Sequence, residues 1–350
     1  MTGWRGRRLR STVGIRASAV VAVVVAVVMT LLAGCGRVAG VSLPEGPVPG
    51  AIGNQVLLEP DHGIEPVYAL LRSPRTTLDM TMYQLVDDEA VAILIADAAR
   101  GVRVRVVLDQ RLQRARNKPA FDRLRAHGVQ VVWADPRFAA SHQKTFVVDG
   151  SVAVVMSLNL SSRYYPNTRD VGVVTTDAND VRAIAKVFDA DFVGRSVHAD
   201  AADDLVWSPG AEDDLVALVD GARTSVAVET EVLTDKPVVD ALVRAGRRGV
   251  RTSLVMTYQA EWAPNFTKLA AAGVSVRYYN GEFPLYIHAK VFVVDAGKPN
   301  AKVYLGSQNL SSASLLRNRE LGIVLTEPSA VSSMQVVVAR DSVGGKAWNP

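Results

Sequence analysis

Cysteine is almost absent from this chain of 350 residues, and Cys35 is the only one. A disulfide framework is thereby excluded, as is a cysteine-built metal centre. No H-E-x-x-H signature and no carboxylate-rich ligand spacing occurs either, so the sequence carries no sign of a resident metal. A lasting excess of one charge is also lacking. The formal net charge is +4 with a pI near 9.2, which by itself suggests a partner such as nucleic acid. Five arginines lie within residues 1–34, which hold no acid, so loss of that segment takes +4 to −1. A near-neutral body has no bulk pull on polyanions, although local basic patches remain. What is abundant is apolar: 49% of residues are hydrophobic, enough for a sizeable core and too many for a disordered chain. The length accommodates about two ordinary domains.

The amino-terminal segment has the anatomy of an export signal. Arg5, Arg7, Arg8, Arg10 and Arg16 precede an apolar run from Ala17 to Leu32, which is short for a membrane span. The ending Leu32-Ala33-Gly34-Cys35 resembles the lipobox of bacterial lipoproteins. That resemblance implies that residues 1–34 are removed and that Cys35 is lipidated, which would anchor the body to the outer face of the cell membrane. Pro44, Pro47, Pro49, Gly46 and Gly50 then mark Gly36–Pro60 as a tether, with a lipid-anchored linker at 35–55.

The body reads twice. In the first half a helix is predicted over Ile64–Leu71, a strand over Thr77–Tyr83 and a helix from Asp87-Asp88 to Gly101. Strands follow over Val102–Leu108 and Val129–Trp133. In the second half the order repeats: helix Ala211–Gly221, strand Ser225–Glu229, helix Lys236–Arg247, strand Gly249–Met256 and strand Val274–Tyr278. Ala99-Arg100-Gly101-Val102-Arg103 returns as Arg247-Arg248-Gly249-Val250-Arg251. The halves are expected over 56–195 and 205–345, joined near Val193–Trp207. Strands alternating with helices predict an α/β sandwich in each half, with mixed sheets because Asp149-Gly150 is a two-residue hairpin signal. The corresponding hairpin of the second half is longer, over Ala296–Ala301.

Inside this repeat lies a second one. His142-Gln143-Lys144, Asp149 and Ser157-Leu158-Asn159 recur as His288-Ala289-Lys290, Asp295 and Ser307-Gln308-Asn309. The duplicated H-x-K-x4-D followed by S-x-N resembles the phospholipase D superfamily, and the likeness covers roughly Val56 to Thr326. It implies two tandem α/β halves related by a pseudo-twofold, with one active site at their interface. On a strand, residues two apart share a face, so His142 with Lys144 and His288 with Lys290 each present an imidazole and an ammonium together. Ser157, Asn159, Ser307 and Asn309 are expected to bind the substrate phosphate, with the lysines offsetting its charge, so no cofactor and no metal are implied. Two histidines suffice for a two-step displacement through a phosphohistidine. Family habit makes His142 the nucleophile and His288 the acid. In the superfamily a carboxylate after each motif orients the histidine, and by position Asp170 and Glu320 match it. Asp149 and Asp295 read as structural residues at the hairpin turns.

One departure concerns the glycine before the motif serine, which is Gly306 in the second copy but Met156 in the first. A side chain there either crowds the phosphate or points into the core. His62, His127 and His198 read as ordinary surface or core histidines, and Arg111, Arg114, Arg116 and Lys118 as a solvated helix face. Trp133, Phe138, Trp262, Phe283 and Tyr286 read as ordinary packing or as the lining of an acyl or headgroup pocket. The expected activity is phospholipase D-type, metal-independent hydrolysis of glycerophospholipids to phosphatidic acid by a monomer, with transfer to an alcohol as a side reaction. The alternatives are an exported endonuclease and a catalytically impaired binding protein. Cardiolipin synthesis is the lesser expectation, because such enzymes usually carry a longer membrane-inserted amino terminus.

Overall fold

The computed structural model describes residues 43, 45–47, 50–197, 204–281 and 283–349. The expected signal at 1–34, Cys35, part of the linker and His198 lie outside the described residues.

Uninterrupted apolar runs make strands that are buried on both faces. Strands β5 (Lys144–Val148) and β6 (Val152–Met156) carry such runs, and β2 (Thr77–Met82) and β7 (Thr168–Thr175) are as buried although polar residues interrupt them. With β1 (Gln55–Glu59), β3 (Arg103–Leu108) and β4 (Gln130–Trp133) they form a sheet in the order β1-β7-β6-β5-β2-β3-β4. Strands β2, β3 and β4 run parallel; β5, β6, β7 and β1 are antiparallel to their neighbours.

The second half repeats this arrangement. Strands β8 (Leu205–Ser208), β9 (Ser225–Glu229), β10 (Arg251–Thr257), β11 (Ser275–Tyr279), β12 (Tyr286–Ile287), β13 (Val291–Val294), β14 (Lys302–Gly306), β15 (Glu320–Leu325) and β16 (Lys346–Ala347) follow in sequence. Their sheet reads β8-β15-β14-β13-β9-β10-β11, with β16 added at the edge and β12 left out. The two sheets therefore share one strand order. Both hairpins turn through the motif aspartate, since Asp149 and Asp295 each have φ of 49°. In the first hairpin Gly150 is also left-handed, as a two-residue turn of this hand requires.

Helices α1 (Glu65–Arg72), α2 (Asp88–Ala99) and α3 (Arg114–Ala126) cover the outer face of the first sheet. Helix α4 (Ala178–Phe192) returns to its inner face. On the second sheet α5 (Ala211–Asp220), α6 (Lys236–Arg247) and α7 (Ala263–Ala271) take the outer positions. After α8 (Ser312–Leu316), α9 (Pro328–Gly344) takes the inner one. Matching aspartates start matching helices: Asp87 accepts from the amides of Glu89 and Ala90, and Asp235 from that of Val238.

A central core joins the halves. Val147, Val155 and Val173 of the first sheet pack with Val291, Leu305 and Ile323 of the second, all nearly devoid of solvent contact. Each such side chain contributes about 1.5–3 kcal/mol on burial. Two buried ion pairs cross the same boundary. Arg169 Nε meets Asp341 Oδ2 at 2.5 Å, and Arg319 Nη2 meets Asp191 Oδ1 at 2.8 Å.

Three differences from the sequence reading stand out. Gln55–Glu59, read as tether in Gly36–Pro60, is strand β1, paired with β7 so that Glu59 faces Asp170. Its Val-Leu-Leu run is too short to show a period. The joining region near Val193–Trp207 contains the start of β8, which pairs with β15. The loop Asn280–Ile287 ends in β12, which pairs with a strand of the other half.

Candidate active site

Both histidines enter the site by one device. Ser141 forms a parallel bridge to Arg319, and the His142 amide donates to the Arg319 carbonyl at 2.9 Å. Likewise β12 runs parallel to β7, and the His288 amide donates to the Arg169 carbonyl at 3.1 Å. One residue further along, the side chains meet. His142 Nδ1 lies 2.7 Å from Glu320 Oε2, and His288 Nδ1 lies 2.7 Å from Asp170 Oδ1. Each acid comes from the opposite half. A carboxylate at Nδ1 keeps a hydrogen on that nitrogen and turns Nε2 away from it.

The two rings line one cavity of about 430 Å³, with Asn159, Asn309, Tyr164, Tyr286 and Glu231 among its walls. This is the size of a small-molecule site. Burial pushes the His142 imidazolium down despite Glu320, and Lys144 and Lys290 push it further. Burial thus favours the neutral ring, which with its hydrogen at Nδ1 carries a lone pair on Nε2. Glu320 is fully buried, which alone would raise its carboxyl, yet His142 and Lys144 hold it below the usual range. It also accepts from Asn318 Nδ2 at 2.9 Å and from the Ser314 hydroxyl.

Lys144 and Lys290 are wholly buried at the start of their hairpins. Lys144 Nζ donates to the His142 carbonyl at 2.6 Å and lies 4.6 Å from the centre of the Tyr83 ring. Burial pushes its ammonium down to about 7, against the pull of Glu320 and with a push from Lys290. Lys290 Nζ donates to the His288 carbonyl and lies 3.2 Å from Glu231 Oε2.

The asparagines and serines of the two S-x-N segments part company. Asn159 and Asn309 line the cavity, and the Oδ1 atom of each is buried without a protein partner. The serines do not line it, which corrects the expectation that they face the phosphate. Ser157 Oγ donates to Asp170 Oδ1 at 2.5 Å and accepts from the Val171 amide at 2.9 Å. Ser307 Oγ accepts from the Leu321 amide at 3.3 Å. Each serine thus fastens its own hairpin to the strand bearing the orienting acid.

Asp149 and Asp295 lie at the far ends of the hairpins. Asp149 accepts the amides of Arg75, Thr76 and Thr77, each at 2.8 Å, and its carboxyl falls to about 2 because those donors outweigh burial. Asp295 does the same for Arg223, Thr224 and Ser225. Met156 points into the first-half core beside Leu57 and Gly172, outside the cavity. The second half fills that space differently: the Tyr304 ring occupies the room beside Gly306 and Gly322. The volume Met156 supplies in one half comes from Tyr304 in the other.

Among the remaining sequence candidates, Tyr286 lines the cavity and Arg116 stands on its wall. Trp133 stacks on Phe121, Trp262 is core, Phe283 is exposed, and Phe138 sits under Arg319. Lys118 pairs with Asp122 and Arg114 lies over Trp133, so most of that basic run is a solvated helix face. His62 accepts from the Leu58 amide, and His127 meets the Arg123 carbonyl. Glu231 was missed. It lies 3.4 Å from His288 Nε2, and its carboxyl is held well below the usual range, because His288 and Lys290 overcome burial. Aligning Leu85-Val86-Asp87 with Leu233-Thr234-Asp235 sets it against Tyr83, the signal that would have found it.

Comparison with known proteins identifies the family. A family profile described as "Cardiolipin synthase, PLD-like domain" matches residues 67–192 and again 215–342. Cardiolipin synthase B of Escherichia coli strain K12 is 26% identical over 278 residues, 67% of this chain and 66% of that protein. The probable cardiolipin synthase YwiE of Bacillus subtilis strain 168 is 27% identical over 129 residues. That match spans only a quarter of the Bacillus protein. Among solved structures, phosphatidylserine synthase of Haemophilus influenzae superposes with a TM-score of 0.64 at 12% identity, over 88% of this chain and 90% of that one. Polyphosphate kinase of Porphyromonas gingivalis gives 0.67 at 17%, over 89% and 56%. At such identities the likeness is one of fold. The doubled profile over the doubled sheet shows that the chain belongs to the phospholipase D superfamily, carrying the cardiolipin synthase-type PLD-like domain twice.

Proposed function

We propose that this protein cleaves glycerophospholipids as a phospholipase D-type enzyme, with His142 as nucleophile and a phosphatidyl-histidine intermediate. The observation that carries the reading is the crossed pair of histidine–carboxylate contacts around one cavity. His142 Nε2 attacks phosphorus as the bond to the headgroup oxygen breaks, and His288 gives that oxygen its proton. In the second step His288 takes a proton from water, whose oxygen displaces His142. Glu320 balances the charge that His142 gains, and Lys144, Lys290, Asn159 and Asn309 answer the charge on the phosphate oxygens.

A lipid substrate is supported by the relatives, which are named cardiolipin synthases. Their names also support a second outcome for the same intermediate. An alcohol in place of water receives the phosphatidyl group, and the cavity has room for a small polyol. Lipidation at Cys35 would hold the site at its substrate's surface.

The test offers the exported chain phosphatidylcholine and phosphatidylglycerol vesicles, with and without glycerol, in EDTA, and plasmid DNA in parallel. Phosphatidic acid should appear without glycerol and a transfer product with it, and both should vanish in His142→Ala and His288→Ala. DNA cleavage without lipid turnover would sink the lipid reading, and loss of lipid turnover in EDTA would sink the metal-free mechanism.

A further inference from the structure

The two halves are equivalent in strand order, in the H-x-K-x4-D motif and in having an acid at each Nδ1, yet they differ at a position beside the histidine. In the first half it holds Tyr83, whose ring centre lies 4.4 Å from that of His142 at an angle of 66°. In the second it holds Glu231, 3.4 Å from His288 Nε2 and 3.2 Å from Lys290 Nζ, with the Tyr286 hydroxyl donating to its other oxygen at 3.1 Å. We propose that Glu231 is the positioning residue that divides the labour between the histidines: it holds a hydrogen on His288 Nε2, which leaves attack on phosphorus to His142. The proposal rests on the phosphohistidine reading above and explains why an almost symmetric site works in one direction.

The chemistry is that of donors and acceptors. An imidazole attacks through a bare nitrogen. His288 has Asp170 from β7 at Nδ1, Glu231 just past β9 at Nε2, and Lys290 just before β13, bound to the His288 carbonyl. A carboxylate on each side calls for a hydrogen on each nitrogen, the form that protonates a leaving oxygen. His142 has Glu320 at Nδ1, Lys144 on its own carbonyl, and the uncharged Tyr83 ring where Glu231 stands in the other half. Among the described residues no carboxylate lies within ion-pair distance of its Nε2, and burial favours the neutral ring.

The experiment compares the full-length wild type with Glu231→Gln and Glu231→Tyr, the second of which makes the halves alike. Each reacts with bis(p-nitrophenyl) phosphate, whose leaving group needs no proton, followed by an alkaline quench and mapping of phosphorylated histidines. Long-range proton–nitrogen spectra of ¹⁵N-histidine protein at pH 7 report whether His288 Nε2 carries hydrogen. In the wild type, label should fall on His142 alone and His288 Nε2 should be hydrogen-bearing. In Glu231→Tyr a share of the label should move to His288. In both variants the Nε2 hydrogen signal should weaken. With an unactivated headgroup ester turnover should fall on the order of 10²-fold, and the nitrophenyl ester, which needs no proton in the first step, should lose less. Label on His288 in the wild type overturns the proposal. So does label confined to His142 in both variants with an unchanged His288 spectrum. Absence of phosphohistidine in the wild type instead rejects the covalent reading, and the spectra still decide what Glu231 does.

Discussion

Lys144 shows what a single buried side chain imposes on the chemistry. Its ammonium is pushed down to about 7, so in the empty site it is charged below that pH and neutral above it. An anion binds the charged form, so affinity should fall as pH rises through neutrality. Dimethyl phosphate does not itself titrate there, and its inhibition constant should rise by up to about tenfold per pH unit above 7. A flat profile from pH 6 to 9 would show that Lys144 stays charged throughout. Asp149 acts on the fold instead. Its carboxyl lies at about 2, below the ordinary 3.8, so it contributes stability at pH values above 3.8 that is lost as pH falls towards 2. Asp149→Asn should cost about 2–4 kcal/mol at neutral pH, since an amide turned towards three backbone donors cannot accept from all of them. It should also flatten the acid limb of the stability curve, measured by urea unfolding at several pH values.

At the scale of elements, the crossed pairing ties chemistry to packing. Strand β12 borrows its partner from β7 of the other half, and Arg169 supplies the carbonyl that receives the His288 amide. The Arg169 guanidinium is meanwhile pinned by Asp341 of α9 and by Asp61. Asp341→Asn should destabilise the protein by about 3 kcal/mol, and Arg169→Met with Asp341→Leu should recover much of that loss. Denaturant midpoints check both. Activity should stay low in the paired variant if the guanidinium also sets the height of β7. Much of this scale was legible in the sequence. The strands followed from apolar runs, and Ser225–Glu229 and Lys236–Arg247 fall where periodicity and Gly249 put them. Asp170 and Glu320 were found by their offset from the motif. That each serves the histidine of the other half was not legible, because a spacing says nothing of which chain segment lies opposite in space. The serines were misread for a related reason: Ser157 and Asn159 share a strand direction, but the chain leaves β6 at Met156 and only the asparagine reaches the cavity. Strand β1 was hidden by its brevity beside a proline-rich stretch.

At the scale of the whole molecule, both motif histidines stand at one cavity, so their losses should not add. His142→Ala and His288→Ala should each reduce turnover roughly 10⁴-fold or more, and the double variant should be no worse than the poorer single one. Additive losses would mean two independent centres. The three variants should still fold, because both rings stand at the wall of a cavity and carry little of the core, but loss of His142 leaves the buried Glu320 without its Nδ1 partner and should lower the melting midpoint. The central core behaves otherwise: valines from both sheets share it, so the halves should unfold in one transition.

The exchange of acids between halves also has a consequence for how such a protein diversifies. Two identical copies of one half, associated as a twofold dimer, would give both histidines the same neighbours, and any substitution beside one would appear beside the other. A dimer of that kind cannot hold tyrosine on one side and glutamate on the other. Covalent fusion lifts the restriction. Each copy keeps the acid its counterpart depends on, while every other wall of the shared chamber is free to change on one side alone.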